Sequence, residues 1–523
     1  MIVDSTAKII VNSHFTLNDQ LTIHPGGSVI IDPRKTLVVL DKINNLAGAS
    51  ALVVKAGETV ANGSLIFYND QNSPVQATVE FYSKASFDLS RNPGNRFCWQ
   101  FFGIPFRTVR AGPTFNDAYV RKKIESGTTS ANHWEELTGS SVLTSFTGYQ
   151  ISQANPKTYS IQGTLENSDF TSGQLAKTTS ALYPGQHLFA NPYTASIDIR
   201  AIEFGSDVEE TVYMYNTGTF LQWDSIDAGS FGSEAGQYIA VPKNSAGNAG
   251  LPRHVPSMGS MLFSIFDSLP GSSANSYVNI AYSSVMPNEA PLRTPALSTR
   301  ENVNIVATII EVRGKLAGDK MWLFRNKAAS RNFDNGYDGY KLIGPALNPQ
   351  IFAVENDGSY QINTVPTFHQ TKLAFQAGQD TEYTMTFTHD NLGIHYARLY
   401  LHDRVTNTIT DVTASGSTYR FSAPSTPQPV QRFALLTEEQ NQALPDSRAA
   451  GFLLLNSESG VFVKNLTDEP ATVLLFDLSG RLISRSVLQA GALNRLVTDQ
   501  HQMYVVRINS NNYAVTRQIK ASY

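Results

Sequence analysis

Asp334, Asn335 and Asp338 place two carboxylates and an amide oxygen within one short loop, around Gly336. Oxygen donors this close, on a chain that a glycine allows to turn sharply, could hold a hard cation such as calcium. The downstream Glu that an EF-hand requires is missing. The same side chains also suit an Asx-turn network that bonds the loop's own backbone. A structural calcium ion is the one cofactor this pattern suggests, against none at all. A second constellation is aromatic: Tyr213, Tyr215, Phe220 and Trp223. Tyr213 and Tyr215 share one strand face, as a stacking platform for a sugar would need, and a sheet that buries aromatics in a core uses the same alternation. Glu135 and Glu136 follow Trp134 and invite a reading as paired carboxylates for glycoside hydrolysis. The phrase Asn132-His-Trp-Glu-Glu-Leu137 reads equally as a loop resting on a tryptophan.

No residue is assigned a catalytic role. Cys98 is the one cysteine, so no internal disulfide forms, and its apolar run Phe97-Cys-Trp-Gln-Phe-Phe102 reads as core. His389, His395 and His402 lie close in sequence, without the spacing of a zinc site. A Gly-x-Ser-x-Gly elbow, a Walker loop and a dinucleotide-binding glycine pattern are all absent from the sequence.

These residues must be positioned by strands. Hydrophobic residues make up 41% of the 523 and charged residues 16%, enough apolar material for several cores. The net charge of −4 and the lack of a Lys/Arg stripe exclude nucleic acid as a natural partner. No apolar run is long enough for a transmembrane helix. Short strands such as Leu21-Thr-Ile23, Val29-Ile-Ile31 and Leu37-Val-Val-Leu40 recur through residues 1–82, separated by turns such as His24-Pro-Gly-Gly27. They are too close for crossover helices and read as β-helix-like rungs, with an antiparallel sandwich as the alternative. Residues 83–298 read as a β-sandwich surface domain. Within it, Glu210–Trp223 forms a hairpin that turns at Asn216-Thr-Gly218 and returns through Phe220 and Trp223. Residues 299–436 read as a jelly-roll-like β domain, residues 437–445 as a polar linker, and residues 446–523 as a small antiparallel β-sandwich. The fold class is all-β throughout. Met1-Ile-Val-Asp-Ser lacks the basic start and apolar core of a signal peptide, so the start reads as a fragment boundary with further rungs upstream.

The final segment carries the clearest resemblance. Ala471–Ile483 contains an Asp477-Leu-Ser-Gly480-Arg481 turn, Gln502–Ile508 contains Tyr504 and Val506, and the last strand ends at Lys520. This resembles the C-terminal sorting domain of the type IX secretion system of Bacteroidetes, with Gln502-Met503 where that family usually has a glycine. His187-Leu-Phe-Ala-Asn-Pro-Tyr193 and the later Phe333-Asp-Asn-Gly-Tyr-Asp338 are similar to modules of large surface proteins bearing the same tag. The resemblance implies a secreted or outer-surface location and export machinery as a partner of the C-terminal domain. Its surface partner would be a glycan or a protein. The expected function is a non-enzymatic structural or adhesin-like protein, the alternative a glycan-binding or carbohydrate-active accessory protein, and a hydrolase with an unrecognised site the third possibility.

Overall fold

The computed structural model describes residues 1–89, 96–216, 237–266, 273–288, 305–315, 317–344, 348–439, 451–457, 460–496, 498–499, 502–511 and 514–521. The protein is all-β: 51% is strand, and the described helices are single 3-10 turns. No helix among these residues is long and apolar enough to cross a membrane.

The first strands form three ladders of parallel pairs. Ile2–Val3, Leu21–Ile23 and Ile43–Asn45 make one; Lys8–Val11, Ser28–Ile31 and Leu52–Val54 the second; Phe15–Leu17, Thr36–Val39 and Ser64–Phe67 the third. The chain visits the ladders in rotation, so Ile2 pairs with Thr22, Lys8 with Ser28 and Phe15 with Leu37. β-branched and leucine side chains point inward from all three sides, and Val3, Ile23, Val29, Leu37 and Leu65 are buried together. The turn at His24-Pro-Gly-Gly27 requires its glycines. Gly26 has φ +90, and a Cβ on Gly27 would lie 2.6 Å from the Val3 carbonyl of the neighbouring turn.

The break expected after residue 82 falls inside the strand Gln76–Ser83. This strand lies parallel to Leu52–Val54 on one side and antiparallel to Lys157–Thr164 on the other. One apolar cluster therefore runs from Val3 to Leu165, because that antiparallel pairing carries the next region onto the end of the ladders.

Further along, Gln186–Ala190, Ser260–Ser264, Thr211–Asn216 and Gln237–Pro242 form a four-stranded sheet. The Asn-Pro-Tyr phrase is its buried corner. Asn191 Nδ2 donates to the carbonyls of Ala195 and Val255, and Asn191 Oδ1 accepts the Tyr193 N–H. Residues 306–439 build one eleven-stranded sheet that curls on itself. Its terminal strands Thr408–Asp411 and Ser417–Ser422 are joined only through residues 412–416, and the Thr408 and Tyr419 hydroxyls bond across the closure at 3.1 Å. The curl encloses Ile310, Phe387, Leu401 and Leu435.

The expected linker at 437–445 is a strand in its described part. Residues 437–439 continue Val430–Glu439 and pair with Tyr396–Asp403, because that neighbour still offers free backbone groups; 440–445 lie outside the described residues. The last region packs a three-stranded sheet, from Phe452–Ser457, Gly460–Asn465 and Leu493–Leu496, against a four-stranded one. The latter runs in the order Leu482–Leu488, Ala471–Asp477, Met503–Asn509, Ala514–Lys520. Val463, Leu475, Val506 and Ile508 fill the space between them. A smaller apolar cluster fastens this sandwich to the preceding sheet through Tyr400, Ile409, Leu436, Leu453 and Phe462.

Candidate functional site

The proposed calcium donors each accept a hydrogen bond from a backbone N–H. Asp334 Oδ2 accepts the Ser330 N–H, and Asp338 Oδ1 and Oδ2 accept those of Thr364 and Asp334, at 2.6–2.7 Å. Asn335 Oδ1 accepts the Glu210 N–H at 2.7 Å. The loop is an Asx-type network with a second task, because it joins two sheets. Thr211 Oγ1 donates to the Asp338 carbonyl, the Asn244 N–H to the Gly336 carbonyl, and the Tyr340 N–H to the Tyr213 hydroxyl. Asp338 is wholly buried, and that burial pushes its carboxyl up to about 7, against its two backbone donors and with the help of Asp334 and Asp357. Among the described residues, no group of three His, Cys, Asp or Glu side chains could hold a metal.

The Tyr213 strand is placed differently from the hairpin expected. Thr211–Asn216 pairs with Gln237–Pro242, so Asn216 faces Gln237; residues 217–236, which include the expected turn, lie outside the described residues. The return strand is the later Gln-Tyr-Ile-Ala-Val segment, whose alternation matches the pleat. Phe220 and Trp223 lie outside the described residues. Tyr213 is 1% exposed, and its hydroxyl donates to Glu209 at 2.7 Å. Its ring is thus core, packed where the eleven-stranded sheet arrives, and presents no stacking face. Tyr215 is partly buried against Phe101 and Tyr238, with ring centroids 4.4 and 5.2 Å away.

The remaining nominated residues are dispersed. Cys98 is buried. His389 bridges the Thr308 hydroxyl and the Val412 carbonyl, while His402 meets Asn407 and the Phe462 ring; burial holds both imidazoles below their ordinary range. His395 follows the 3-10 turn Leu392–Ile394. Glu135 and Glu136 sit exposed on a strand, Trp134–Leu137, rather than a loop, because Ala118–Lys123 offers it a partner.

In the C-terminal sandwich the residues nominated as a sorting motif lie on neighbouring strands of one sheet and on the turn that follows the first of them. Asp477 Oδ1 accepts the backbone N–H groups of Ser479 and Arg481, and Arg481 Nε reaches Asp477 Oδ2 at 3.0 Å. Gly480 takes φ +83, which the turn requires. The sheet register sets Asp477 beside Tyr504, Leu475 beside the buried Val506, and Met503 beside Lys520.

A surface that the sequence did not single out is the strongest candidate for recognition. Ala118–Lys123 lies between Tyr149–Gln153 and Trp134–Leu137, with Gln100–Phe102 beyond. The register puts Arg121 beside Gln150 and Glu136, and Lys123 beside Trp134. Alternate residues share a face, so Tyr119, Arg121, Lys123 and Trp134 stand together while Val120 and Ile151 enter the core. The Arg121 guanidinium is held between two indoles, 3.7 Å from the Trp99 ring centre and 4.8 Å from that of Trp134. Its Nε donates to Gln150 Oε1 at 2.7 Å. Trp99 stacks in turn on Phe97, which meets Tyr119 edge-on.

At the other end the Lys123 ammonium lies 5.4 Å from the Tyr183 ring, shut from solvent and without a hydrogen-bond acceptor. Tyr183 is held there by the segment around it. Glu125 accepts the N–H groups of Thr178 and Gly185, and the Leu182 N–H donates to the Gly127 carbonyl. Burial lowers Arg121 to about 10, opposed by Glu136, and Lys123 to about 8, opposed by Glu125. Burial also lowers His133, whose ring sits beside those of Trp134 and Tyr183, with the charges of Lys123 and Arg121 adding to the effect. The signal in the sequence was the alternation Tyr119-Val-Arg-Lys-Lys123, hidden because its aromatic partners come from three other segments.

No family model matches the chain. Over 95% of its length it is 29% identical to the minor fimbrium subunit Mfa5 of Porphyromonas gingivalis, and it spans 39% of that protein. Among solved structures, the BSP domain of a biofilm-associated protein aligns over 89% of this chain and 98% of that one, at 9% identity and a TM-score of 0.15, too low to carry an argument. The likeness to a fimbrial subunit bears out the expected location, secreted or at the cell surface.

Proposed function

We propose that this chain is a non-enzymatic structural or adhesin-like protein of a bacterial surface, of the fimbrial-subunit kind, and that residues 446–523 serve its export. The observation that carries this reading is the 29% identity to a minor fimbrium subunit over nearly the whole chain. The architecture is consistent with a mechanical role. Successive β units are tied by buried contacts: the Asp334–Asp338 loop between two sheets, and the Tyr400–Phe462 cluster ahead of the last sandwich. Such ties let a long molecule project as a unit rather than as beads on linkers.

The export part rests on the Asp477–Arg481 turn and the Tyr504, Val506 and Lys520 positions, which resemble a type IX sorting domain of Bacteroidetes. Two measurements test the proposal. Antibody labelling of intact cells and of culture medium is expected to find the protein; its confinement to the cytoplasm would refute a surface role. Deletion of residues 446–523 is expected to leave the protein in the periplasm with its upstream sheets folded, and ordinary surface display of that deletion would remove the export assignment. A second reading, glycan recognition, is favoured by the aromatic and basic face around Arg121.

A further inference from the structure

We propose that this face binds a saccharide bearing a carboxylate, such as a uronic or sialic acid residue, with Arg121 as the carboxylate anchor. The inference rests on the surface reading, since it names the ligand class of such a protein. The two indoles cover both flat sides of the guanidinium, at 3.7 and 4.8 Å from the Trp99 and Trp134 ring centres. Gln150 takes Nε. What the side chain still offers is the edge carrying its terminal N–H groups, which make no hydrogen bond to the described residues. A planar fork fixed edge-on matches a carboxylate in two parallel hydrogen bonds.

The second cation is Lys123, whose ammonium lies behind the Tyr183 ring, shut from solvent and with no acceptor inside the protein, so it adds positive potential rather than a direct bond. An ammonium withdrawn from water and left unpaired is costly, and an anion held at the neighbouring Arg121 offsets part of that cost through its charge. Tyr119 and Tyr183, 43% and 46% exposed, are the open rings at the two ends of the face and can stack on the apolar side of a pyranose.

The charge balance chooses among anions. Two cations with Glu135 and Glu136 exposed alongside suit one carboxylate on an otherwise neutral ligand. A nucleic acid draws its affinity from many phosphate contacts, and two glutamates in the binding face would repel that backbone. Glu136, opposite Arg121 in the ladder, competes with the ligand for the same guanidinium.

The test is binding of the purified full chain to an array of oligosaccharides that end in sialic or uronic acid, printed beside their neutral counterparts. Acidic glycans are expected to bind at least roughly tenfold more tightly than neutral ones, the worth of one charged hydrogen-bonded pair. Arg121→Gln should abolish the preference. Glu136→Gln, an exposed change with little bearing on folding, should strengthen acidic binding several-fold and leave neutral binding unchanged. Tyr183→Ala should weaken both. Thermal melting of each variant separates lost binding from lost folding. Equal binding of acidic and neutral glycans, silence across all acidic glycans, or an acid preference indifferent to Glu136→Gln would overturn the assignment. None of these results touches surface labelling of intact cells, so a failure here is distinguishable from a failure of the surface reading.

Discussion

The strands Thr211–Asn216 and Ala118–Lys123 are near twins in sequence and opposites in the fold. Each sets large side chains at alternate positions: Tyr213 and Tyr215 in one, Tyr119, Arg121 and Lys123 in the other. The first meets a second sheet, so Tyr213 ends in the core with its hydroxyl between Glu209 and the Tyr340 N–H. The second has core contacts on the other side, through Val120, and of its large side chains Tyr119 stays 43% exposed while Arg121 and Lys123 are partly buried. Alternation states that a strand has two faces. It does not state which face another sheet will cover.

This contrast can be broken by truncation. Tyr213→Ala should cost about 3–5 kcal/mol, the range for emptying a buried aromatic site, with Glu209 left facing the cavity. Urea denaturation followed by tryptophan fluorescence would show it as a lower midpoint. A loss under about 1 kcal/mol would mean that Tyr213 is not a core residue.

The junction behind Tyr213 gives the next effect, through pH. The Asp338 carboxyl is raised to about 7 inside the fold, from an ordinary value of 3.8. Its ionised form is therefore disfavoured in the folded state. Stability is greatest below the unfolded value and declines as pH rises toward about 7, by a few kcal/mol in all. Asp338→Asn should flatten the melting temperature between pH 4 and 7 while lowering it at pH 4, since one of the N–H groups of Thr364 and Asp334 loses its acceptor. A slope unchanged in the variant would assign the titration to another group.

On the open face the corresponding cut is smaller. Trp134→Ala should cost about 1–2 kcal/mol, the worth of a partly buried ring with one cation–π neighbour, Arg121, and two ring neighbours, Phe101 and His133. A loss as large as that of Tyr213→Ala would erase the distinction between the two faces. Smallest is Asp477→Ala, which removes the acceptor for the turn at Ser479 and Arg481. Bonds from the Ser479 hydroxyl, then from Arg481, hold the Asp477 carboxyl below its ordinary range. The wild-type turn should stay intact until pH falls through that lowered value, and the variant should show no such acid step in the melting of the last sandwich.

Local chemistry is legible where it closes on itself. The Asp477-Leu-Ser-Gly-Arg481 turn can be read directly, because one carboxylate, one glycine and one arginine within five residues make every bond it needs. The repeated apolar triplets of residues 1–82 are legible for a similar reason, since each contributes inward-pointing residues at short, regular intervals. The hairpin expected at Asn216-Thr-Gly218 turns within residues outside the described ones, and the described partner of Thr211–Asn216 is the later Gln237–Pro242. Its turn signal is local, whereas the partner of Thr211–Asn216 is decided by which later strand matches its pleat. The Asp334–Asp338 loop shows the same limit. Its oxygen donors are plain in the sequence, but their partners include Glu210 and Thr364, which only folding brings near.

The sequence by itself determined the class of the fold, the run of strands and the self-contained turns. Period-two patterning, β-branched residues and glycine positions act over a few residues. Tertiary structure alone decided that Tyr213 would be buried and Arg121 presented between Trp99 and Trp134. A sheet face has no fate until another layer packs on it or leaves it to solvent, and that layer comes from residues far away in the chain.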